Sequence, residues 1–204
     1  MAEFLDVYDA NRKLVGAADR NVAHAFGLWH KTVHCWLVWD GKLVFQRRSR
    51  KLDNNGGKLY TTASGHVSAG ESVEQAFLRE IEQEIGITPK KPKFLEEITW
   101  VADIKKSNGQ IMTDRVFVNI FWADYDGRLN DFIFKDGEVD SLVAINLDDF
   151  AEWAQNPSGR EIIGTEWDGK KISDLKLTAS DFVVNEGETI CEKYGRIAEM
   201  IKKQ

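Results

Sequence analysis

The sequence predicts an α/β protein in which a mixed β-sheet lies between helices. Segments rich in Val, Ile and aromatic residues are separated by turn residues through most of the chain, as β-strands are. One segment among them, residues 73–85, instead places its apolar residues at helical spacing, and further helical patterns follow the later strands. Strands that flank one helix and are followed by another favour a sheet covered by helices.

The predicted elements follow one another in a regular order. Before the helix at 73–85, strands are expected at residues 3–8, 32–39, 42–46 and 59–63, with a tight hairpin turn at Asp40-Gly41. After that helix, strands are expected at residues 94–101, 111–122, 129–134 and 139–147, and helices at 147–155 and 189–203. Residues 19–29 show no firm periodicity, residues 102–110 read as a polar loop, and Asp168-Gly169 predicts a turn.

The length of 204 residues suits one domain with additions. We expect residues 1–155 to form that domain, beginning with an N-terminal strand region. A break at residues 156–159, which read Asn-Pro-Ser-Gly, separates it from the rest. Residues 156–204 are expected to be a C-terminal extension packed on the same domain.

The composition excludes several classes of protein. No apolar run approaches a membrane span and the N-terminus lacks an apolar signal core, so we expect a cytoplasmic protein with no membrane partner. Cys35 and Cys191 are the only cysteines and indicate no disulfide framework. The net charge of −6 argues against binding to a nucleic-acid polymer, although a metal ion and a local basic patch would still hold a nucleotide.

The first of the predicted helices carries an unusual charge pattern. Ser72 stands where it can cap the N-terminus, and Gly86 stands where it can end the helix. Glu80 and Glu84, one turn apart, project from within the apolar stripe instead of the solvated face. Buried carboxylates need a hydrogen-bonding partner or a metal ion, and a divalent cation would reverse the repulsion between them. Pairing with Arg79 or with a lysine at the rim is the alternative.

The spacing of these residues resembles the Nudix box. That motif reads Gly, five residues, Glu, seven residues, Arg-Glu, an aliphatic residue, any residue, Glu-Glu, any residue, Gly and an aliphatic residue. Residues 65–87, GHVSAGESVEQAFLREIEQEIGI, match every specified position but one. The departure is Gln83, which stands where the family has the first glutamate of the Glu-Glu pair.

The resemblance implies a Nudix fold, an α/β/α sandwich with a mixed sheet, and it implies roles for single residues. Glu80, Glu84 and the carbonyl of Gly65 would bind metal, and Arg79 would orient a glutamate. Glu80, Glu84 and Arg79 are therefore the expected catalytic residues. The expected cofactor is Mg²⁺ or Mn²⁺, since hard cations prefer oxygen ligands and arrive with substrate phosphates. Because Gln83 removes one negative charge, weaker metal binding or fewer metal ions are expected.

Short matches outside the box resemble the isopentenyl-diphosphate isomerase-like branch of the Nudix superfamily. They are Asp6-Val7, Gly16, Trp29-His30, residues 46–49, Gly65-His66 and residues 136–139. The isomerases use a cysteine immediately before the Gly-His pair and bind metal through several histidines and glutamates. Here Ser64 precedes the pair. A hydroxyl does not readily replace a thiol, because its pKa is far higher.

The histidines keep the isomerase alternative open. His30 and His66 match two of the isomerase metal ligands, and His24 lies one position from a third. Asp114-Arg115 stands where the isomerases have two glutamates. An ordinary hydrogen-bonded role is nevertheless favoured for each of these histidines and for His34. Together with the missing thiol, this makes isomerase activity the weaker hypothesis.

The sequence therefore predicts a metal-dependent hydrolase that cleaves a diphosphate linked to another moiety. The expected substrate is a small molecule, a nucleoside diphosphate derivative. Arg47, Arg48 and Lys58 are the candidate phosphate-binding residues, because they lie in or near a basic run that leaves a strand; a solvated face is the alternative. Glu138 and Asp114 are the candidates for an additional acid. A homodimer is the candidate assembly.

Gln83 supports a third hypothesis, a noncatalytic Nudix module that binds a nucleotide or a protein. Loss of Glu80 or Glu84 would be the stronger sign of such a module. Both residues are present. The hydrolase is therefore preferred.

Overall fold

The computed structural model describes residues 3–52, 55–105, 109, 111–135, 137–184 and 188–204. Residues 106–108 and 110 of the predicted polar loop lie outside these ranges, as does residue 136 of the isomerase-like match. The strands are β1 (Phe4–Tyr8), β2 (Leu14–Asp19), β3 (His30–Trp39), β4 (Lys42–Arg48), β5 (Leu59–Tyr60), β6 (Ala63–His66), β7 (Lys93–Lys105), β8 (Ile111–Tyr125), β9 (Val139–Asn146), β10 (Ile162–Trp167) and β11 (Ile172–Leu177). The α-helices are α1 (Arg20–Phe26), α2 (Val73–Ile85), α3 (Leu147–Gln155) and α4 (Arg196–Lys202).

Nine of the described strands form one mixed sheet, in which the order is β11-β10-β9-β4-β3-β8-β7. β5 pairs with β4, and β6 pairs with β3. β3 and β8 run parallel, whereas the hairpins β3–β4, β7–β8 and β10–β11 are antiparallel. β1 and β2 form a separate antiparallel pair. This arrangement confirms the predicted α/β class with a mixed sheet.

A buried apolar cluster lies on each face of the sheet, and β3 contributes to both. Cys35 and Leu37 belong to the cluster that contains Phe77 of α2. Trp36 belongs to the opposite cluster, which contains Phe150 of α3. Because successive side chains of a strand point to opposite faces, the even-numbered residues of β3 all lie on the face away from α2.

The sheet divides between β3 and β4, and we call this division the fork. The two strands pair with each other only near their shared turn, at residues 37–39 and 42–44. Beyond that point, residues 59–66 enter between them. Thr62 links the two strands at the point where they separate. Its hydroxyl accepts from the Leu37 amide at 3.0 Å and donates to the Val44 carbonyl. β6, on one side of the fork, lies next to α2.

Several predicted elements are confirmed. The turn at Asp40-Gly41 has φ values of 50° and 68°, as a tight hairpin requires. α3 begins and ends where it was predicted, and Asn146 caps its N-terminus. The Asp168-Gly169 turn joins β10 to β11. β10 also pairs with β9, so part of the C-terminal extension continues the main sheet.

The predicted strand at residues 129–134 is wrong. Residues Leu129–Asp131 form a short 3₁₀ helix instead. The Asp131 carboxylate accepts from the Arg128 amide at 2.7 Å and from the Tyr125 hydroxyl at 3.2 Å, which stabilises the turn. The Ile133 amide then donates to the carbonyl of Ile85, so this apolar segment packs on the end of α2 instead of joining the sheet.

Two further regions differ from the sequence prediction. Residues 19–29, for which no periodicity was found, contain α1, with the Asp19 side chain accepting from the Asn21 amide and Gly27 ending the helix at φ 57°. The predicted C-terminal helix begins with a π-helical turn, Cys191–Gly195, before α4. No helix in the described ranges is long and apolar enough to cross a membrane.

Candidate active site

α2 places two carboxylates against the sheet. The helix starts at a capping box between Ser72 and Gln75 and ends at Gly86, whose φ is 74°. Glu80 is 8% exposed and Glu84 is 3% exposed, so both lie on the buried face of the helix. The predicted burial of this pair is therefore confirmed.

Arg79 holds the first of these carboxylates. Its guanidinium forms a bidentate pair with Glu71 at 2.8 and 2.9 Å, and donates to Glu80 Oε1 at 2.6 Å. It also donates to the carbonyl of His66 at 2.7 Å and to Gln83 Oε1 at 3.1 Å. These contacts raise the pKa of Arg79, with Glu71 as the largest cause. The arginine thus fixes α2 to the strand β6 through charge-assisted bonds.

Glu80 lies directly against the backbone of Gly65. A methyl group at this position would overlap the Glu80 carboxylate, so only glycine permits the approach. Burial raises the pKa of Glu80, while Arg79 opposes that rise. The result is a desolvated carboxylate held beside a main-chain segment, an arrangement that suits a cation bound by oxygen ligands.

Glu84 accepts hydrogen bonds from the two strands that border the fork, β4 and β6. Gln46 of β4 donates its Nε2 to Glu84 Oε2 at 2.9 Å, and the Ser64 amide donates to Glu84 Oε1 at 3.2 Å. Gln83, by contrast, is exposed. We call Glu71, Arg79, Glu80 and Glu84 the carboxylate cluster. Glu80 and Glu84, with the backbone of Gly65, are the groups in it that could hold a divalent cation.

A second group of polar side chains contains the histidines of the isomerase alternative, for each of which an ordinary hydrogen-bonded role was favoured. His24 of α1, His30 of β3 and His66 of β6 bring one ring nitrogen each to within 4.8 Å of one another. His24 Nε2 lies 3.1 Å from His66 Nε2, and His24 Nδ1 lies 2.6 Å from Asp114 Oδ1. We call these four residues the histidine cluster.

The histidine cluster has the properties of a ligand set. Burial lowers the pKa of His66 to about 2 and also lowers that of His30, so both rings are neutral at neutral pH. Asp114 Oδ1 lies beside His24 Nδ1, and His24 Nε2, on the other side of the ring, lies next to His66 Nε2. His30 Nε2 is buried and has no hydrogen-bond partner among the described residues. The cluster could therefore hold a metal ion.

The candidate phosphate-binding residues do not all lie together. Arg47 donates to Glu166 Oε1 at 2.7 Å and to the carbonyl of Gly57 at 2.9 Å, so the guanidinium is bound to the protein itself. Arg48 lies with its guanidinium carbon 5.7 Å from the ring centre of Tyr60. Lys58 is exposed.

The two candidates for an additional acid are also separated. Asp114 belongs to the histidine cluster, where it contacts His24. Glu138 is exposed immediately before β9, and its carbonyl accepts from the Ser49 amide at 2.7 Å. Asp114 is therefore the candidate that the fold places in a group of polar side chains.

Tyr60 of β5 is influenced by charges of both clusters. Burial raises its pKa to about 12, and the negative charges of Asp114 and Glu84 act in the same direction. Its hydroxyl lies 3.0 Å from His34 Nε2. The pKa of Tyr60 therefore responds to one carboxylate of each cluster.

The fold and the carboxylate cluster define the class of protein. A family model described as NUDIX domain matches residues 28–164, and the chain belongs to this family. An uncharacterised Nudix hydrolase of Clostridium acetobutylicum is 33% identical over 190 residues, covering 89% of this chain and 90% of the relative. The chain is a Nudix hydrolase enzyme, as the box predicted. Enzymes of this family generally act on small-molecule diphosphates and use divalent metals.

Two other comparisons bear on the branch and the fold. The isopentenyl-diphosphate Delta-isomerase of Ruegeria pomeroyi is 30% identical over 111 residues, covering 54% of this chain and 59% of that protein. The crystal structure of DR0079 from Deinococcus radiodurans superposes with a TM-score of 0.54 at 20% identity, covering 76% of this chain and 90% of that one. The first confirms the predicted resemblance to the isomerase-like branch, and the second supports the Nudix fold.

Proposed function

We propose that this Nudix hydrolase cleaves a diphosphate linked to another moiety, in a nucleoside diphosphate derivative, and requires Mg²⁺ or Mn²⁺. The observation that carries the proposal is the burial of Glu80 and Glu84 on one face of α2, with Gly65 leaving room for the first carboxylate. Two buried carboxylates one helical turn apart raise the free energy of the folded state unless a cation offsets their charge. Oxygen ligands suit both metals.

The residues of the carboxylate cluster would have different roles. Glu80, Glu84 and the carbonyl of Gly65 would hold the metal, which when bound neutralises phosphate oxygens and lowers the pKa of a water. Arg79 positions Glu80 through the contact at 2.6 Å and is itself held by Glu71. Gln83 takes part only as an acceptor for Arg79 and supplies no charge.

Basic side chains beyond this cluster would bind the substrate phosphates. Arg47, Arg48 and Lys58 are the candidates; Arg47 would have to leave Glu166 and Gly57 to reach a ligand, whereas Lys58 is exposed. Glu138 and Asp114 are the candidates for the additional acid, and Asp114 contacts His24. Residues 156–204 would be an extension of the same domain, supported by the pairing of β10 with β9.

Isomerase chemistry is the competing function, and one observation favours it. The histidine cluster brings together residues that match isomerase metal ligands. Ser64 opposes this alternative, because its hydroxyl is a poor acid and base beside the thiol that the isomerases use. A near-complete Nudix box also favours hydrolysis. We therefore place the hydrolase first.

A panel of nucleoside diphosphate derivatives, nucleoside triphosphates, dinucleotides and isoprenoid diphosphates tests the proposal. The protein is incubated with each compound and Mg²⁺, and phosphorus NMR identifies the bond that breaks. We expect cleavage within the diphosphate of at least one nucleoside compound and loss of turnover with a chelator. Isomerisation of an isoprenoid diphosphate, with every nucleoside compound intact, would reject the assignment. A cytoplasmic location and a homodimer remain predictions.

A further inference from the structure

Gln46 is a buried polar side chain to which the Nudix box assigns no role. It lies near the end of β4 and is 2% exposed. Its main chain is flanked on both sides, by Tyr60 of β5 and by Leu142 of β9. The two neighbouring strands fix the backbone of Gln46, and burial restricts the rotamers of its side chain.

The carboxamide of Gln46 is aimed at a proposed metal ligand. Gln46 Nε2 donates to Glu84 Oε2 at 2.9 Å, and the Ser64 amide donates to Glu84 Oε1 at 3.2 Å. Each oxygen of Glu84 therefore receives a hydrogen bond from the fork. The two donors come from different strands, so together they fix both the position and the plane of the carboxylate.

Glu80 is held in another way. It is paired with a cation, Arg79, at 2.6 Å. A cationic partner offsets the negative charge that a metal ion needs, whereas the amide of Gln46 is neutral and leaves that charge in place. Gln46 can thus orient Glu84 without placing a positive charge beside it.

We propose that Gln46 is a positioning residue that orients Glu84 for metal binding. The inference rests on the proposed function, since it requires Glu84 to be a metal ligand. Outer groups that hydrogen-bond a metal ligand keep it in its binding geometry, and their loss typically weakens metal affinity or activity by about 10- to 100-fold. Gln46 acts through Glu84 and touches neither metal nor substrate.

The test compares Gln46→Met with the parent chain, because methionine keeps the length of glutamine and has no donor. The protein is stripped of metal, and binding of Mn²⁺ is followed by the electron paramagnetic resonance signal of the free ion. We expect the Mn²⁺ dissociation constant to rise about 10- to 100-fold. Turnover at limiting Mn²⁺ should fall by a similar factor and recover as Mn²⁺ is raised.

Asn119→Leu is the matched control. Asn119 is also a buried amide in the sheet, 5% exposed, and donates to the Phe117 carbonyl at 3.1 Å instead of to α2. Its loss should lower the unfolding temperature without changing the Mn²⁺ dissociation constant. Gln46→Asn provides a second variant should Gln46→Met fail to fold, since it withdraws the donor by one methylene and keeps a polar side chain. The same weakening of Mn²⁺ binding is expected.

Glu84→Gln separates failure of this inference from failure of the proposed function. Where Glu84→Gln weakens Mn²⁺ binding and the folded Gln46 variant binds Mn²⁺ within about threefold of the parent, Gln46 has no positioning role. Where Glu84→Gln itself leaves Mn²⁺ binding unchanged, the metal site proposed on α2 is wrong and the inference falls with it. A lower unfolding temperature of Gln46→Met at unchanged Mn²⁺ affinity would show a purely structural role.

Discussion

The carboxylate cluster and the histidine cluster are built from the chain in opposite ways. Every member of the carboxylate cluster lies within residues 71–84, on α2 or immediately before it. The members of the histidine cluster come from α1, β3, β6 and β8, and span residues 24–114. The helical repeat of α2 alone brings the members of the carboxylate cluster together. The members of the histidine cluster meet only after the sheet has formed.

The two clusters also differ in charge. The carboxylate cluster combines buried carboxylates with one arginine, and burial raises the pKa of Glu80. The histidine cluster contains His30 and His66, whose pKa values are lowered by burial, with Asp114 beside His24. Hard cations prefer the oxygen ligands of the first, whereas imidazole suits softer transition metals. The difference allows experiments to assign the hydrolytic chemistry to one cluster.

The largest expected effect is on turnover by Glu84→Gln, which keeps the shape of the side chain and removes its charge. We expect turnover of the best panel substrate to fall roughly 10²- to 10⁴-fold, each tenfold being about 1.4 kcal/mol. Metal-free stability should be unchanged or slightly higher, since repulsion with Glu80 is relieved. His24→Gln is the comparison, with a smaller loss expected. The assignment would be reversed if Glu84→Gln stayed within threefold of the parent while His24→Gln lost activity.

Metal binding should stabilise the fold through the carboxylate cluster. At Mg²⁺ concentrations of ~100 times the dissociation constant, the free energy of unfolding should increase by about 2.7 kcal/mol. Thermal melts with Mg²⁺ and with chelator measure this on protein purified free of metal. Glu84→Gln should lose the shift and His24→Gln should keep it. Superimposed melts of the parent would contradict the prediction.

Gly65→Ala tests how closely α2 must approach β6. The added methyl group would overlap the Glu80 carboxylate, which must then move from its contact with the strand. We expect Mg²⁺ affinity to fall by about tenfold, or ~1.4 kcal/mol, as measured by calorimetry. Gly16→Ala is the control, because nothing lies within 4 Å of the added atom. Unchanged affinity in Gly65→Ala would remove Gly65 from the site.

The smallest expected effect is the exchange of carbon-bound protons of isopentenyl diphosphate for deuterium. Incubation with isopentenyl diphosphate in deuterated water should leave them unexchanged, because Ser64 cannot take the place of a thiol. Proton NMR measures the exchange directly. Metal-dependent deuterium uptake that His66→Gln abolishes would transfer catalysis to the histidine cluster and overturn the hydrolase assignment.

Local signals explain what the sequence predicts well. The box, the end of α2 at Gly86 and the whole of α3 follow from residues a few positions apart, and the structure confirms them. α1 was missed although Asp19 and Gly27 mark its ends, because seven residues are too few to establish a period. The pattern of residues 129–134 favours a strand, since the sequence does not show that this segment packs on α2.

Long-range partners explain what the sequence does not predict. Arg47 pairs with Glu166, more than a hundred positions away in the chain, so no local pattern separates it from a free phosphate-binding arginine. Gln46 reaches Glu84 only because the fork brings β4 to α2. For His24, His30 and His66 taken singly, the sequence favours an ordinary hydrogen-bonded role. Their convergence depends on strand register, which a single sequence does not reveal.

The alternation of side chains along β3 limits how this chain can evolve. His30, His34 and Trp36 face one side, whereas Cys35 and Leu37 pack under α2. Inserting or deleting one residue in β3 would exchange the two sets, moving imidazoles into an apolar core and an apolar row to the histidine side. A length change in this strand would therefore disturb both faces of the sheet at once. A substitution, in contrast, alters one face at a time.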